Sequence, residues 1–67
     1  MTFGDALEQM KAGKRMRRSM WIFRDVVYVR YTSAMQEYLV VQSGTADAVP
    51  YTPCCYDIFA DDWQVVK

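Results

Sequence analysis

The sequence predicts an α+β domain in which one N-terminal helix packs on a small antiparallel sheet. Three observations support this. Apolar residues recur at helical spacing only near the start of the chain. The later segments are short, rich in β-branched and aromatic residues, and separated by turn residues. Their connections are short, which favours antiparallel neighbours, and one amphipathic helix can cover one face of such a sheet.

The helix is expected from about Thr2 to Ala12. Thr2 followed by Asp5 resembles a capping box, with a hydroxyl able to accept from a first-turn N–H and a carboxylate near the positive helix end. Phe3, Ala6, Leu7 and Met10 then form one apolar stripe. Gly13 supplies the stop, preceded by Lys11 near the negative end. "KRMRRSMW" follows as a short strand with Met16 directed inward. In "DVVYVRYT", Val27, Val29 and Tyr31 share one face, and Val26, Tyr28 and Arg30 the other.

"SAMQE" is a polar connection into a strand over residues 38–42. Ser43, Gly44 and Asp47 give the next segment turn chemistry, leading to "VPY". Pro50 lacks a backbone donor, so this strand is short or lies at an edge. "TPCCYDIFADD" reads as a loop with one helical turn, and "WQVVK" as the closing strand. The sheet face away from the helix is left with Tyr, Val and Met, for which a second subunit is the natural cover.

The 67 residues make one domain, 1–67, with no internal repeat or linker. That length is near the lower end for an unassisted core, so an oligomeric partner is expected. A composition 52% hydrophobic and 15% aromatic sets the chain apart from disordered sequences. No apolar run approaches the roughly 20 residues needed to span a bilayer, and the acids in "MTFGDALEQM" do not suit a signal peptide. The expected location is cytosolic, without membrane association.

Net charge is zero, yet it conceals an asymmetry. Lys11, Lys14, Arg15, Arg17, Arg18, Arg24 and Arg30 crowd the first half, whereas residues 31–66 hold Glu37, Asp47, Asp57, Asp61 and Asp62 and no basic residue. Either these halves meet within the fold, or the basic one faces an anionic ligand.

Catalytic chemistry is poorly supplied. The absence of His removes the commonest general base, the His-assisted nucleophiles and most zinc sites. Gly4, Gly13 and Gly44 form no phosphate loop. Asp61 and Asp62, as neighbours entering a strand, point to opposite sides. Cys54 and Cys55 have no basic neighbour in sequence to activate a thiol and read as half-buried loop residues; adjacent cysteines do not readily bridge. The expectation is a binding protein, not an enzyme, with no cofactor and no metal.

Binding groups are present. Trp21 follows Arg17 and Arg18 and precedes Arg24, so a ring able to stack lies beside cations able to pair with phosphate. The same ring could equally be core.

The opening residues Phe3, Gly4, Ala6, Leu7, Gly13, Lys14, Arg15, Arg18 and Trp21 resemble the N-terminal pattern of the phage Thoeris anti-defence family. That pattern is a Phe-Gly-x-Ala-Leu helix, a Gly-Lys-Arg turn and a basic strand ending in Gly-Trp. Val49, Pro50, Asp57, Ala60, Asp62 and Trp63 resemble the family ending. The resemblance implies a homo-oligomer, commonly a tetramer, with pockets between subunits. It also implies sequestration, without cleavage, of a cyclic ADP-ribose-type immune signal or a cyclic oligonucleotide in the host cytoplasm. On that basis Trp21 would stack the base, Arg18 and Arg24 would neutralise phosphate, and Asp57 or Tyr56 would take ribose or base edges. Tyr51, in place of the family's Trp, would lie beside them.

Five departures accompany the match: the loop after Trp21 is shorter than is usual in the family, and four substitutions stand beside it. Met20 replaces Gly, Ile22 a polar residue, Cys54-Cys55 a Ser-Gln pair, and Tyr51 a Trp, which together bring apolar bulk to the expected pocket. An alternative reading is an interaction module that binds a host protein through the uncovered sheet face or the acidic half. Single-stranded nucleic-acid binding through "KRMRRSMW" is disfavoured by the zero net charge.

Overall fold

The computed structural model describes residues 1–66 and shows an α+β fold. Helix α1 (Phe3–Lys11) precedes strands β1 (Met16–Arg18), β2 (Asp25–Tyr31), β3 (Glu37–Ser43) and β4 (Val49–Pro50). A single helical turn, α2 (Cys55–Ile58), then leads to β5 (Trp63–Val65). The strands pair antiparallel in the order β4-β3-β2-β1-β5. The final strand therefore lies beside the first. Among the described residues no helix is long and apolar enough to cross a membrane.

The local signals act as the sequence suggests. Thr2 caps α1, its Oγ1 accepting from the Asp5 N–H at 3.2 Å. Gly13 takes φ +93°, where a β-carbon would be strained, and its N–H donates to the Met10 carbonyl to end the helix. β4 lies at the sheet edge and is two residues long, where the missing donor of Pro50 costs least.

Register fixes the two sheet faces. Met16 opposes both Val27 and Val65, and Val27 opposes Val41. These residues face the helix and, with Ala6, Met10 and Trp63, build the core. Trp63 is only 2% exposed, and the Phe3 and Trp21 rings meet it edge-on at 5.5 Å between centroids. Each such fully buried large side chain contributes about 1.5–3 kcal/mol.

The opposite face carries Arg17, Val26, Tyr28, Arg30, Tyr38, Val40, Gln42, Pro50 and Gln64 by register. The expected Tyr and Val are there. Methionine is not, because the one methionine in a strand, Met16, belongs to the covered side. Val40 is buried on this open face, between Tyr28 and Pro50 on the adjoining strands.

Candidate functional site

β1 alternates, so Arg18 points to the same side as Met16 but two residues beyond it, opposite Trp63. There it meets the acidic half of the chain. Its Nε donates to Asp62 Oδ1 at 2.8 Å, and its Nη1 to Asp57 Oδ1 at 2.9 Å. The Arg18 side chain is 12% exposed. One side chain therefore ties β1 to α2 and to the residue before β5.

The two carboxylates are satisfied further. Asp57 Oδ2 accepts from the Tyr51 hydroxyl at 2.8 Å and from Cys54 Sγ at 3.5 Å. Asp62 Oδ2 accepts from Ser19 Oγ and from the Met20 N–H, both at 3.2 Å. The Asp57 carbonyl takes the Trp63 Nε1–H at 2.9 Å, so the core ring is anchored to the same turn.

These bonds also position the loop that carries Trp21. Its N–H donates to the Arg18 carbonyl at 3.1 Å, and its own carbonyl accepts from Arg17 Nη2. The ring is half-buried, with Trp63 against it. Trp21 therefore packs on the core through Trp63 and keeps part of its surface accessible.

The electrostatics follow from the contacts. Arg18 is raised above its ordinary pKa, first by the bond to Asp62 and then by that to Asp57. The Asp62 carboxyl is lowered chiefly by Arg18. Burial alone would raise the Asp57 carboxyl, but the hydrogen bonds from Tyr51, Arg18 and Cys54 outweigh it and hold it low. Burial, followed by the bond to Asp57, pushes the Tyr51 phenol well up. Near neutral pH these groups hold fixed charges and fixed protons, which suits orientation better than proton transfer.

Of the sequence-predicted site residues, the fold brings together Arg18, Tyr51 and Asp57, with Trp21 beside them through Trp63. Arg24 and Tyr56 lie exposed on the flanking loop and on α2. The expectation for the thiols requires correction: Cys54 and Cys55 are exposed, because both stand at the start of a single helical turn with no buried residue. Asp62 is not among the binding residues that the sequence suggests. Its place before a core Trp, in the Ala-x-Asp-Trp pattern, was the available signal that it anchors the basic strand.

Around this network the surface is apolar. Met20, Ile22 and Phe23 project from the β1–β2 loop, and Tyr56, Ile58 and Phe59 from the α2 segment; Ile22 is 92% exposed and Phe59 86%. Such a concentration in a small protein usually marks an interface. A separate cleft of about 160 Å³ lies between α1 and the β2–β3 hairpin, lined by Leu7, Lys11, Val29, Glu37, Tyr38 and Leu39. It is smaller than the roughly 300–1,000 Å³ of most small-molecule sites, and none of the expected binding residues lines it.

A family model described as the Thoeris anti-defense 2-like (Tad2-like) domain matches residues 1–66 of the chain. No curated protein matches it.

Proposed function

The chain belongs to the Thoeris anti-defense 2-like family, and from that premise we propose that it binds a cyclic nucleotide-type immune signal and withholds it without cleavage. The family name carries the Thoeris anti-defence role; the match across residues 1–66 is the observation on which the finer reading rests. A protein that withholds a signal needs affinity and no catalytic group, which agrees with a site of fixed charges.

In this reading the protein is a homo-oligomer, a tetramer, acting in the host cytoplasm. Two features favour a pocket between subunits. The cleft within one subunit is small for a cyclic ADP-ribose-type molecule. The apolar projections at residues 20–23 and 56–59 flank the Arg18 network and need cover. A second subunit over this end would enclose Trp21, Arg24 and Tyr56.

The division of labour follows from exposure. Trp21 offers a ring face to the base, Arg24 an uncommitted guanidinium to phosphate, and Tyr56 a hydroxyl to ribose or base edges. Arg18, Asp57 and Tyr51, whose polar atoms already serve one another, act as positioning residues that fix the wall behind Trp21. Met20, Ile22 and the Cys54-Cys55 pair make the rim more apolar.

Calorimetric titration with glycocyclic ADP-ribose and with cyclic dinucleotides tests this. Binding heat, together with recovery of intact ligand after denaturing the complex, is the expected result. Absence of heat and of thermal shift with both classes refutes sequestration of these signals, and recovery of a cleaved product refutes the non-enzymatic reading.

A further inference from the structure

The open sheet face has a charge pattern that the zero net charge conceals. By register Arg17 and Arg30 lie on it, and the Arg15 guanidinium reaches over the Tyr28 ring at 4.7 Å from its centroid. Among the described residues, no strand position on this face carries a carboxylate; the acids in strands, Asp25 and Glu37, alternate to the helix side. The attraction felt by a partner lying on the sheet is set by this face and not by the total.

The face is also preorganised. The Tyr28 hydroxyl donates to Gln42 Oε1 at 3.1 Å, and Gln42 Nε2 donates to the Ala46 carbonyl at 3.0 Å, so the ring beneath Arg15 is held. Arg15 and Arg17 lie about 7 Å apart along the chain, and Arg30 is on the adjoining strand. Arg15 and Arg30 are exposed. Gln64, also exposed, adds an amide to the same face.

Cations tracking a backbone, a stacked guanidinium–aromatic pair and an amide are the groups that bind single-stranded nucleic acid on a sheet. We propose that the open face of this sheet binds a short single-stranded nucleic acid, with Arg15 and Arg30 on its phosphates; Arg17, whose guanidinium donates to the Arg18 and Trp21 carbonyls, adds only its charge. This site is separate from the Trp21 end and does not depend on the proposed signal binding. An acidic polypeptide is the competing occupant; the stacked Arg15–Tyr28 pair and the polar character of the accessible residues favour the nucleic acid.

The test is fluorescence anisotropy of a labelled oligo(dT) of about 12 nucleotides, within the site sizes of single-strand binders. Two neutralised phosphates give a salt slope of about −1.4, or a loss of about 7-fold between roughly 50 and 200 mM salt. The double substitution Arg15→Gln, Arg30→Gln is expected to weaken binding and bring the slope close to zero. Both side chains are exposed, so the fold and any binding of the cyclic signal should persist. The proposal is overturned by absence of binding at low salt, or by binding that the double substitution leaves unchanged. Polyglutamate binding equally tightly would assign the face to acidic proteins, and displacement of the oligonucleotide by a cyclic dinucleotide would place it in the other pocket; either result also overturns it.

Discussion

Replacing Arg18 with Met should destabilise the protein more than any change on its surface. The substitution keeps much of the packing volume and removes the bonds at 2.8 and 2.9 Å to Asp62 and Asp57. A hydrogen bond to a charged group contributes about 1.5–3 kcal/mol. Asp57 then stays largely buried without its cation, whereas Asp62 is wetter and loses less. The expected total, set mainly by the Asp57 arm, is about 2–4 kcal/mol. A domain of this size has about 3–10 kcal/mol in all, so the change removes a large share. At about 4–8 °C per kcal/mol, the melting point falls by roughly 10–25 °C. Urea unfolding followed by tryptophan fluorescence, at one protein concentration because assembly adds stability, measures it. Asp57→Asn and the double variant complete a cycle with an expected coupling of about 1–2 kcal/mol. A loss under about 0.5 kcal/mol for Arg18→Met, the level of ordinary surface substitutions, would refute the clamp.

The acid limb of stability carries a second signature. Asp57 and Asp62 have folded pKa values below their ordinary 3.8, so the stability they contribute is present above that value and is lost as pH falls through the folded values. The urea midpoint should drop below about pH 4 and do so less steeply in Arg18→Met, where the carboxyls return toward their ordinary range. Met35 sits at φ +62° in the β2–β3 turn; Met35→Gly should raise stability by about 0.5 kcal/mol, the relief of strain being offset in part by unfolded-chain entropy. If subunits cover the apolar end, Phe59→Asp should lower the mass measured by light scattering while leaving the circular dichroism of the fold unchanged.

Local grammar was readable from the chain. The capping box, the Gly13 stop and the alternation through Val27 and Val29 each depend on residues a few positions apart, so the helix and its sheet could be expected. The site was not readable in the same way. Arg18 meets partners 39 and 44 residues away, and beside Trp21 in sequence it looked like a free cation. Its strand parity decides otherwise by turning it toward the helix side. The same parity turns Arg17 and Arg30 to the open face, a separation that counting charges cannot make. Cys54 and Cys55 looked half-buried because loop composition says little about how a single turn presents its first residues.

The placement of the last strand beside the first has a consequence for how the site comes into being. The β2–β3 hairpin can form from contiguous chain, but Arg18 finds both carboxylates only after residues 57–63 have returned across the sheet. Contacts of such long sequence separation are costly to close early in folding. The clamp should therefore form after the rate-limiting barrier, and Arg18→Met should speed unfolding while leaving the folding rate nearly unchanged. The end of the molecule that carries Trp21 would then be the last part to assemble and the first to open, so its persistence is governed by an unfolding rate.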